Sequence, residues 1–406
     1  MAHRPLISGL ATAALFGLSG WGLSGCDSAP TGPVHVAESE LAAEAHHQQR
    51  LAVQEMLGDH GRLLDVGFAV TAAAADLCPD KIAPGFGVNV ATRSSFREEV
   101  REQAALMLHL SDTPQIVHVV PGSPGARAGL TAGDRIVAVD GQTVVPAEDA
   151  GKVLVARLRS AKVAPLTVTV ERDNAHGNDG ADGNEGAAAK DGAPERRDIT
   201  VAPVPVCGYE LFIGLSDSIN AYADGKGIVV TKGMLRFASS DTDLALVMSH
   251  ELAHNVLKHD RGPSVSALPG TVVDMLATFV LGLDTKGLFA RGGGRNPAQD
   301  EEAEADYVGL YILARAGFAI SGAPDFWRRV GASHPDSLAD SLAAQHPPTP
   351  YRAVALEKTI AEIEAKRAKG LPLRPDAVRN GAGNAAGDIA PSAGPTPENE
   401  SGQPAP

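Results

Sequence analysis

The chain has 406 residues, with 49 acidic against 35 basic side chains and a formal net charge of -14. No stretch concentrates Lys and Arg, which excludes nucleic acid as a partner, and the acidity is read as a contribution to solubility. The length suits two or three compact units, while 44 Gly and 28 Pro mark long unstructured stretches.

At the N-terminus, Met1 to Arg4 is a short positive region and Leu6 to Leu18 an apolar one, followed by Leu23-Ser24-Gly25-Cys26. A signal peptide ending in small residues sends the chain out of the cytoplasm. The cysteine at that point resembles a bacterial lipobox. The resemblance implies removal of residues 1–25, a lipid on Cys26 and a membrane anchor for the mature chain. Asp27 follows, a residue that in enterobacterial lipoproteins favours the inner membrane. The expected address is therefore the bacterial cell envelope, as a periplasm-facing lipoprotein. Only Cys78 and Cys207 remain. In an oxidising compartment an even pair suits a disulfide, with two buried thiols as the alternative. No later stretch is a membrane span; Thr271 to Leu283 is too short and contains Asp274.

Ala37 to Leu77 carries a helical pattern through Leu41, Leu51, Val53, Met56, Leu57, Leu63 and Leu64. Residues 26–78 are thus expected to form a helical spacer leading away from the anchor. Beyond residue 79 the texture changes to glycine-punctuated strands at Ile116 to Val120, Arg135 to Val139 and Leu166 to Val170, with helices over Phe96 to Leu110 and Glu148 to Arg159. The run Gly122-Ser123-Pro124-Gly125-Ala126-Arg127-Ala128-Gly129-Leu130, then Gly133-Asp134-Arg135-Ile136 and Asp140-Gly141, resembles a bacterial PDZ domain. The resemblance implies a β-sandwich or barrel over residues 79–206. In that reading Gly85-Phe86-Gly87-Val88 is either the loop that receives a peptide carboxylate or simply a strand entrance. Asp173 to Arg196 lacks periodicity and reads as a disordered loop between two strands. Residues 370–406 read as a disordered tail.

The densest chemical signal is His250-Glu251-Leu252-Ala253-His254. Histidines four apart on a helix share one face, so both imidazoles can meet one ion, and the adjoining glutamate can reach a water held there. Ser240 and Asp243 form a capping box that starts this helix near Asp241. Leu244, Val247, Met248 and Leu252 form its buried stripe, and Gly262-Pro263 is expected to end it. A histidine six residues after His254, the metzincin solution, is absent, because Asp260 stands there. His259, one residue short, is expected to cap or flank the helix end. Asn296-Pro297 opens a second helix that carries Asp300, Glu301, Glu302, Glu304 and Asp306. Glu302 and Asp306 lie one turn apart beside Leu310 and Leu313, on a face that buries carboxylates and so requires a partner for them.

Taken together, the pentapeptide and Glu302-Ala303-Glu304-Ala305-Asp306 resemble the zinc metallopeptidases that include HtpX and the CAAX prenyl endopeptidases, and more closely their periplasmic lipoprotein relatives. Asn220-Ala221-Tyr222-Ala223, Gly227 to Leu235, and His346-Pro347 with Arg352 extend the match over residues 207–362. The resemblance implies one Zn2+ held by His250, His254 and Glu302, with Glu251 as general base. Asp306 would orient a ligand histidine, His346 would approach or block the metal, and Arg352 would stand near the substrate cleft. His346, Tyr307 and Arg352 are the candidates to complete an oxyanion pocket. The long segment Pro263 to Arg295 departs from the family pattern and reads as a lid or membrane-facing loop. An extended substrate could add as a strand to Val229–Lys232.

The expected fold is α+β and multidomain. It comprises a mainly helical gluzincin-type metallopeptidase domain with a small β-sheet over residues 207–369, joined to the PDZ-like domain. The expected function is hydrolysis of peptide bonds in misfolded or misassembled envelope proteins. A PDZ-based peptide-binding adaptor or chaperone with a structural or latent zinc site is the competing reading.

Overall fold

The computed structural model describes residues 36–173, 194–259, 297–333 and 350–376. The signal region with Cys26, most of the 173–196 loop, Gly262-Pro263, the 263–295 segment, His346 and the tail beyond residue 376 lie outside them. The chain divides into two compact units, the first ending at His47 and the second starting at Gln48. Within the first, the described residues up to His47 are exposed and include the opening turns of helix α1 (Glu38–Ala73). No helix among the described residues is long and apolar enough to cross a membrane.

In the second unit, the β-rich part is built on one open sheet. Strands β2 (Val88–Ala91), β3 (Gln115–Val119), β4 (Arg135–Val139), β6 (Leu166–Arg172) and β7 (Glu195–Val201) follow in that order, and the short β5 (Gln142–Thr143) pairs with β4. The path is not closed into a barrel, which corrects that part of the expected description. Helices α2 (Glu98–Leu108), α3 (Pro124–Ala128) and α4 (Ala150–Ser160) complete it. Ser123 caps α3, accepting from the Ala126 N–H, with Pro124 at the first helical position. Gly129 and Gly133 hold φ of +91° and +96°, the left-handed region that glycine enters without cost. Asp134 is fully buried, accepts from the Thr131 N–H and pairs with Arg172 at 2.6 Å, pinning the end of β6.

The remaining strands belong to two smaller sheets. Strand β1 (Ile82–Gly85) pairs antiparallel with β8 (Val204–Cys207). In the other sheet, β11 (Gly227–Thr231) lies between β10 (Ala221–Ala223) and β9 (Glu210–Gly214). Because β11 is hydrogen-bonded antiparallel to β10 and parallel to β9, its backbone is used on both sides. The expected addition of a substrate strand along Val229–Lys232 is therefore not available. Thr231 accepts from the Met234 N–H and starts α5 (Lys232–Phe237), followed by α6 (Asp241–Leu257). Helices α7 (Pro297–Arg315) and α8 (Ala323–Ser333) pack against α6, and α9 (Pro350–Ala368) packs on α7 and α8.

Helix α1 is not a spacer beyond Val53. Val53 is buried with Phe96, Ala104 and Leu110, whereas Leu63, Val66, Val70 and Ala74 are buried in the large core with Met248, Leu252 and Leu310. Gly67 allows this approach, since a Cβ there would collide with the Leu211 and Met248 side chains. Fully burying such aliphatic side chains contributes roughly 1.5–3 kcal/mol each, so the helix is integral to the core it crosses. Cys78, just past its end, is joined by a disulfide to Cys207 of β8, with Cα atoms 5.8 Å apart.

Candidate metal centre

Helix α6 begins where the Ser240 side chain accepts from the Asp243 N–H. It ends earlier than the expected Gly-Pro stop: Lys258 adopts a left-handed φ of 56° and closes the last turn by hydrogen bonds to the Asn255 and His254 carbonyls. Asn255 ties this end of the helix to the β10–β11 turn, donating to the Gly227 carbonyl at 2.9 Å and accepting from the Gly225 N–H at 2.8 Å. His250, Glu251 and His254 are thus held in a helix anchored at both ends and buried along its length.

Helix α7 crosses α6 at Gly309, where backbone meets backbone. A Cβ at that position would stand 3.1 Å from the His250 Cα and N. This closeness brings Glu302 and Asp306, on the turns before Gly309, onto the histidines. His250 Nε2 and His254 Nε2 are 3.1 Å apart, and Glu302 approaches them at 3.3 and 3.6 Å. On the other side of the His250 ring, Nδ1 faces Asp306 Oδ1 at 3.0 Å. His250, Glu251, His254, Glu302, Asp306 and Arg352 are all between 1% and 3% exposed.

Arg352, on α9, donates to both Asp306 oxygens at 2.7 and 2.8 Å and lies 3.3 Å from Glu302. Its guanidinium also stacks over Trp327 of α8, which in turn packs against the His250 ring. Arg352 thus lies behind the carboxylates and holds them in place. Tyr307 is turned away, its hydroxyl donating to Glu362 and accepting from the Asp376 N–H, so it is not an oxyanion donor. Trp327 and Asn255 carry no signature in their immediate sequence, and His259 is legible there only as a residue flanking the helix end. The glycine one turn beyond two acidic residues was the only available hint of a tight helix crossing.

The electrostatics favour a cation. Burial alone lowers the pKa of His250, but hydrogen bonds and charge from Asp306 and Glu302 outweigh it and raise the imidazole to about 9. Burial would raise Asp306, yet Arg352 and His250 hold it below the usual carboxylate range.

The donor triangle tests the fit to zinc directly. Donors about 2.0–2.1 Å from a tetrahedral zinc stand about 3.3–3.4 Å from one another. The two imidazole nitrogens, 3.1 Å apart, are close to that spacing, and each has a different Glu302 oxygen near it, Oε2 at 3.3 Å from His250 and Oε1 at 3.6 Å from His254. Among the described residues, His250, His254 and Glu302 each bring one ligand atom within 4.8 Å of the others, a group that could hold a metal ion. Two imidazoles and one carboxylate suit a catalytic rather than a closed structural zinc site.

Fold and site together define a mainly helical domain with a candidate catalytic metal centre, joined to a second, β-rich domain. Residues 196–360 match the model of Peptidase family M48, and residues 115–172 match that of the PDZ domain. The first segment is thus similar to M48 metallopeptidases and the second to PDZ domains. Among similar proteins, the mitochondrial metalloendopeptidase OMA1 of Schizosaccharomyces pombe is 27% identical over 177 residues, covering 42% of this chain and 52% of that protein. The putative beta-barrel assembly-enhancing protease of Vibrio cholerae is 30% identical over 172 residues, 34% of this chain and 36% of its own length. The beta-barrel assembly-enhancing protease of Escherichia coli is 28% identical over 136 residues, 30% and 28% of the two chains. The chain thus spans about half or less of the length of these relatives.

Proposed function

We propose that this chain is a zinc-dependent endopeptidase of the bacterial cell envelope, anchored by a lipid on Cys26 and acting on misfolded or misassembled envelope proteins. The observation that carries the reading is the buried triangle of His250, His254 and Glu302 with Glu251 beside it on the same helix. His250, His254 and Glu302 would hold the ion. Bound there, zinc supplies a Lewis acid that acidifies water and polarises a carbonyl. Glu251 takes the proton from the attacking water and returns it to the leaving amine. Asp306 keeps His250 in the tautomer that presents Nε2 to the metal, and Arg352 keeps Asp306 ionised and aligned. The lipobox-like start and the names of the bacterial relatives support the envelope address and the class of target.

The PDZ domain is assigned the capture of a polypeptide C-terminus. In support, Gly87 and Val88 border a cavity of about 460 Å³ whose wall also carries Phe68, Leu211, Asp80 and two cations, Lys81, which donates to the Gly225 carbonyl, and Arg159, which pairs with Glu210. Apolar walls with cationic side chains suit a terminal apolar residue and its carboxylate. The test of the central reading is a Glu251→Gln variant. It should retain zinc and lose casein cleavage, whereas equal cleavage by both forms would remove Glu251 from the mechanism. Binding of C-terminal peptides to the full chain, and its loss on amidating their carboxylate, tests the PDZ assignment.

A further inference from the structure

We propose that His259 is a positioning residue of the metal centre, which fixes the tautomer and orientation of the ligand His254 and is itself oriented by Glu304. This rests on the reading of His250, His254 and Glu302 as zinc ligands.

The geometry comes from the end of α6. The left-handed turn at Lys258 brings the chain back, so that the His259 N–H donates to the His254 carbonyl at 3.1 Å. The same turn lays the His259 imidazole against His254, with the ring centroids 5.0 Å apart. His254 Nδ1 and His259 Nδ1 are 2.8 Å apart, a hydrogen-bond distance. On the far side of the ring, His259 Nε2 lies 3.4 Å from Glu304 Oε2, and the His259 side chain is 8% exposed.

One assignment of hydrogens satisfies all of these contacts. If His254 offers Nε2 to a cation, its Nδ1 carries hydrogen and donates. His259 Nδ1 then accepts, its own hydrogen sits on Nε2, and that hydrogen points at Glu304. The reverse assignment would put hydrogen on His254 Nε2, the atom that faces His250 Nε2 at 3.1 Å and borders Glu302, and would close that atom to a metal. The centre is therefore braced twice. His250 leans on Asp306 and through it on Arg352, while His254 leans on His259 and through it on Glu304. The first brace is fully buried; the second ends on Glu304, whose side chain is 45% exposed.

The test uses the full chain, freed of metal and titrated with zinc alone against a chelator of known affinity, and then with Co2+ to record its visible spectrum. His259→Phe keeps the ring but has no nitrogen, and His259→Asn places an acceptor oxygen where Nδ1 stood. The expected result is about 10–100-fold weaker zinc binding for the Phe variant, the usual effect of removing a ligand's outer partner. The Phe variant should also show an altered Co2+ spectrum, and the Asn variant should recover both properties. His254→Ala, which removes a ligand outright, calibrates the scale. Zinc affinity and a Co2+ spectrum unchanged in His259→Phe, or no recovery in the Asn variant, would overturn the proposal while leaving the zinc reading intact. A parent protein that binds no zinc would overturn the zinc reading itself, and this inference with it.

Discussion

The closest backbone approach in the metal centre yields a quantitative prediction. Gly309→Ala adds one methyl group 3.1 Å from the His250 Cα and N and 3.2 Å from the Ser249 carbonyl carbon. Carbon atoms prefer about 3.5–4.0 Å, and these neighbours are helix backbone that cannot swing aside. Helix α7 must therefore retreat by about half an ångström at that turn. Overpacking of this kind costs about 1–3 kcal/mol, while replacing Gly inside a helix returns about 1 kcal/mol. Net stability should consequently fall by only about 0–2 kcal/mol. Metal binding should suffer more, because Glu302 and Asp306 ride on the displaced turns and a site of this kind tolerates about 0.5 Å of error. We expect zinc affinity to drop at least tenfold, about 1.4 kcal/mol, with the protein still folded. Zinc titration and thermal unfolding measure the two effects separately. Gly322→Ala, where an added Cβ would meet nothing within 4 Å, is the control and should leave both unchanged. A Gly309→Ala protein that binds zinc as tightly as the parent would refute the claim that this crossing sets the ligand geometry.

Other consequences follow from the same contacts. Arg352→Leu strands the buried carboxylates of Asp306 and Glu302, and losing one partner of a buried ion pair costs about 3–5 kcal/mol. Denaturant unfolding of the metal-free protein should show that loss, and an unchanged midpoint would contradict it. His250 carries a proton up to about pH 9 in the metal-free site, and zinc must displace it. Zinc affinity should accordingly rise with pH as far as about 9 and then level off; chelator competition across that range would expose a falling or flat profile. The bridge between Cys78 and Cys207 closes a separation of 129 residues, for which chain entropy gives up to about 5 kcal/mol and common experience about 2–4 kcal/mol. A Cys78→Ala, Cys207→Ala double variant should therefore melt well below the parent, and equal melting would argue against a constraining bridge.

Local signals and long-range packing differed sharply in how far the sequence revealed them. Ser240 before an apolar stripe announces the start of α6, and the glycines at 129 and 133 announce tight turns, because caps and positive φ are decided within a few residues. The four-residue spacing of His250 and His254, and that of Glu302 and Asp306, places each pair on one helix face for the same reason. Nothing local says that α1 is part of the core, since that depends on Leu211 and Met248 arriving at Gly67 from distant parts of the chain. Helix α6 stops short of the expected Gly262-Pro263 because Lys258 takes a left-handed turn normally left to Gly or Asn. That turn is also what swings His259, expected at the helix end, onto His254, a contact that depends on the backbone conformation of Lys258. Strand β11 reads as a plausible docking edge until its two partners, one of them parallel, are seen to occupy both sides. Arg352 likewise carries only its charge in the sequence; its place behind Asp306 is a property of how α9 packs on α7.

The central claim is that the triangle of His250, His254 and Glu302 carries a zinc ion on which peptide-bond hydrolysis depends. The most direct measurement removes all metal from the full chain and returns zinc in steps while casein cleavage is followed. Cleavage should be absent without metal and should climb in proportion to zinc, saturating at one equivalent per chain. Cleavage that persists in the metal-free protein, or that stays absent at full zinc occupancy, would contradict it.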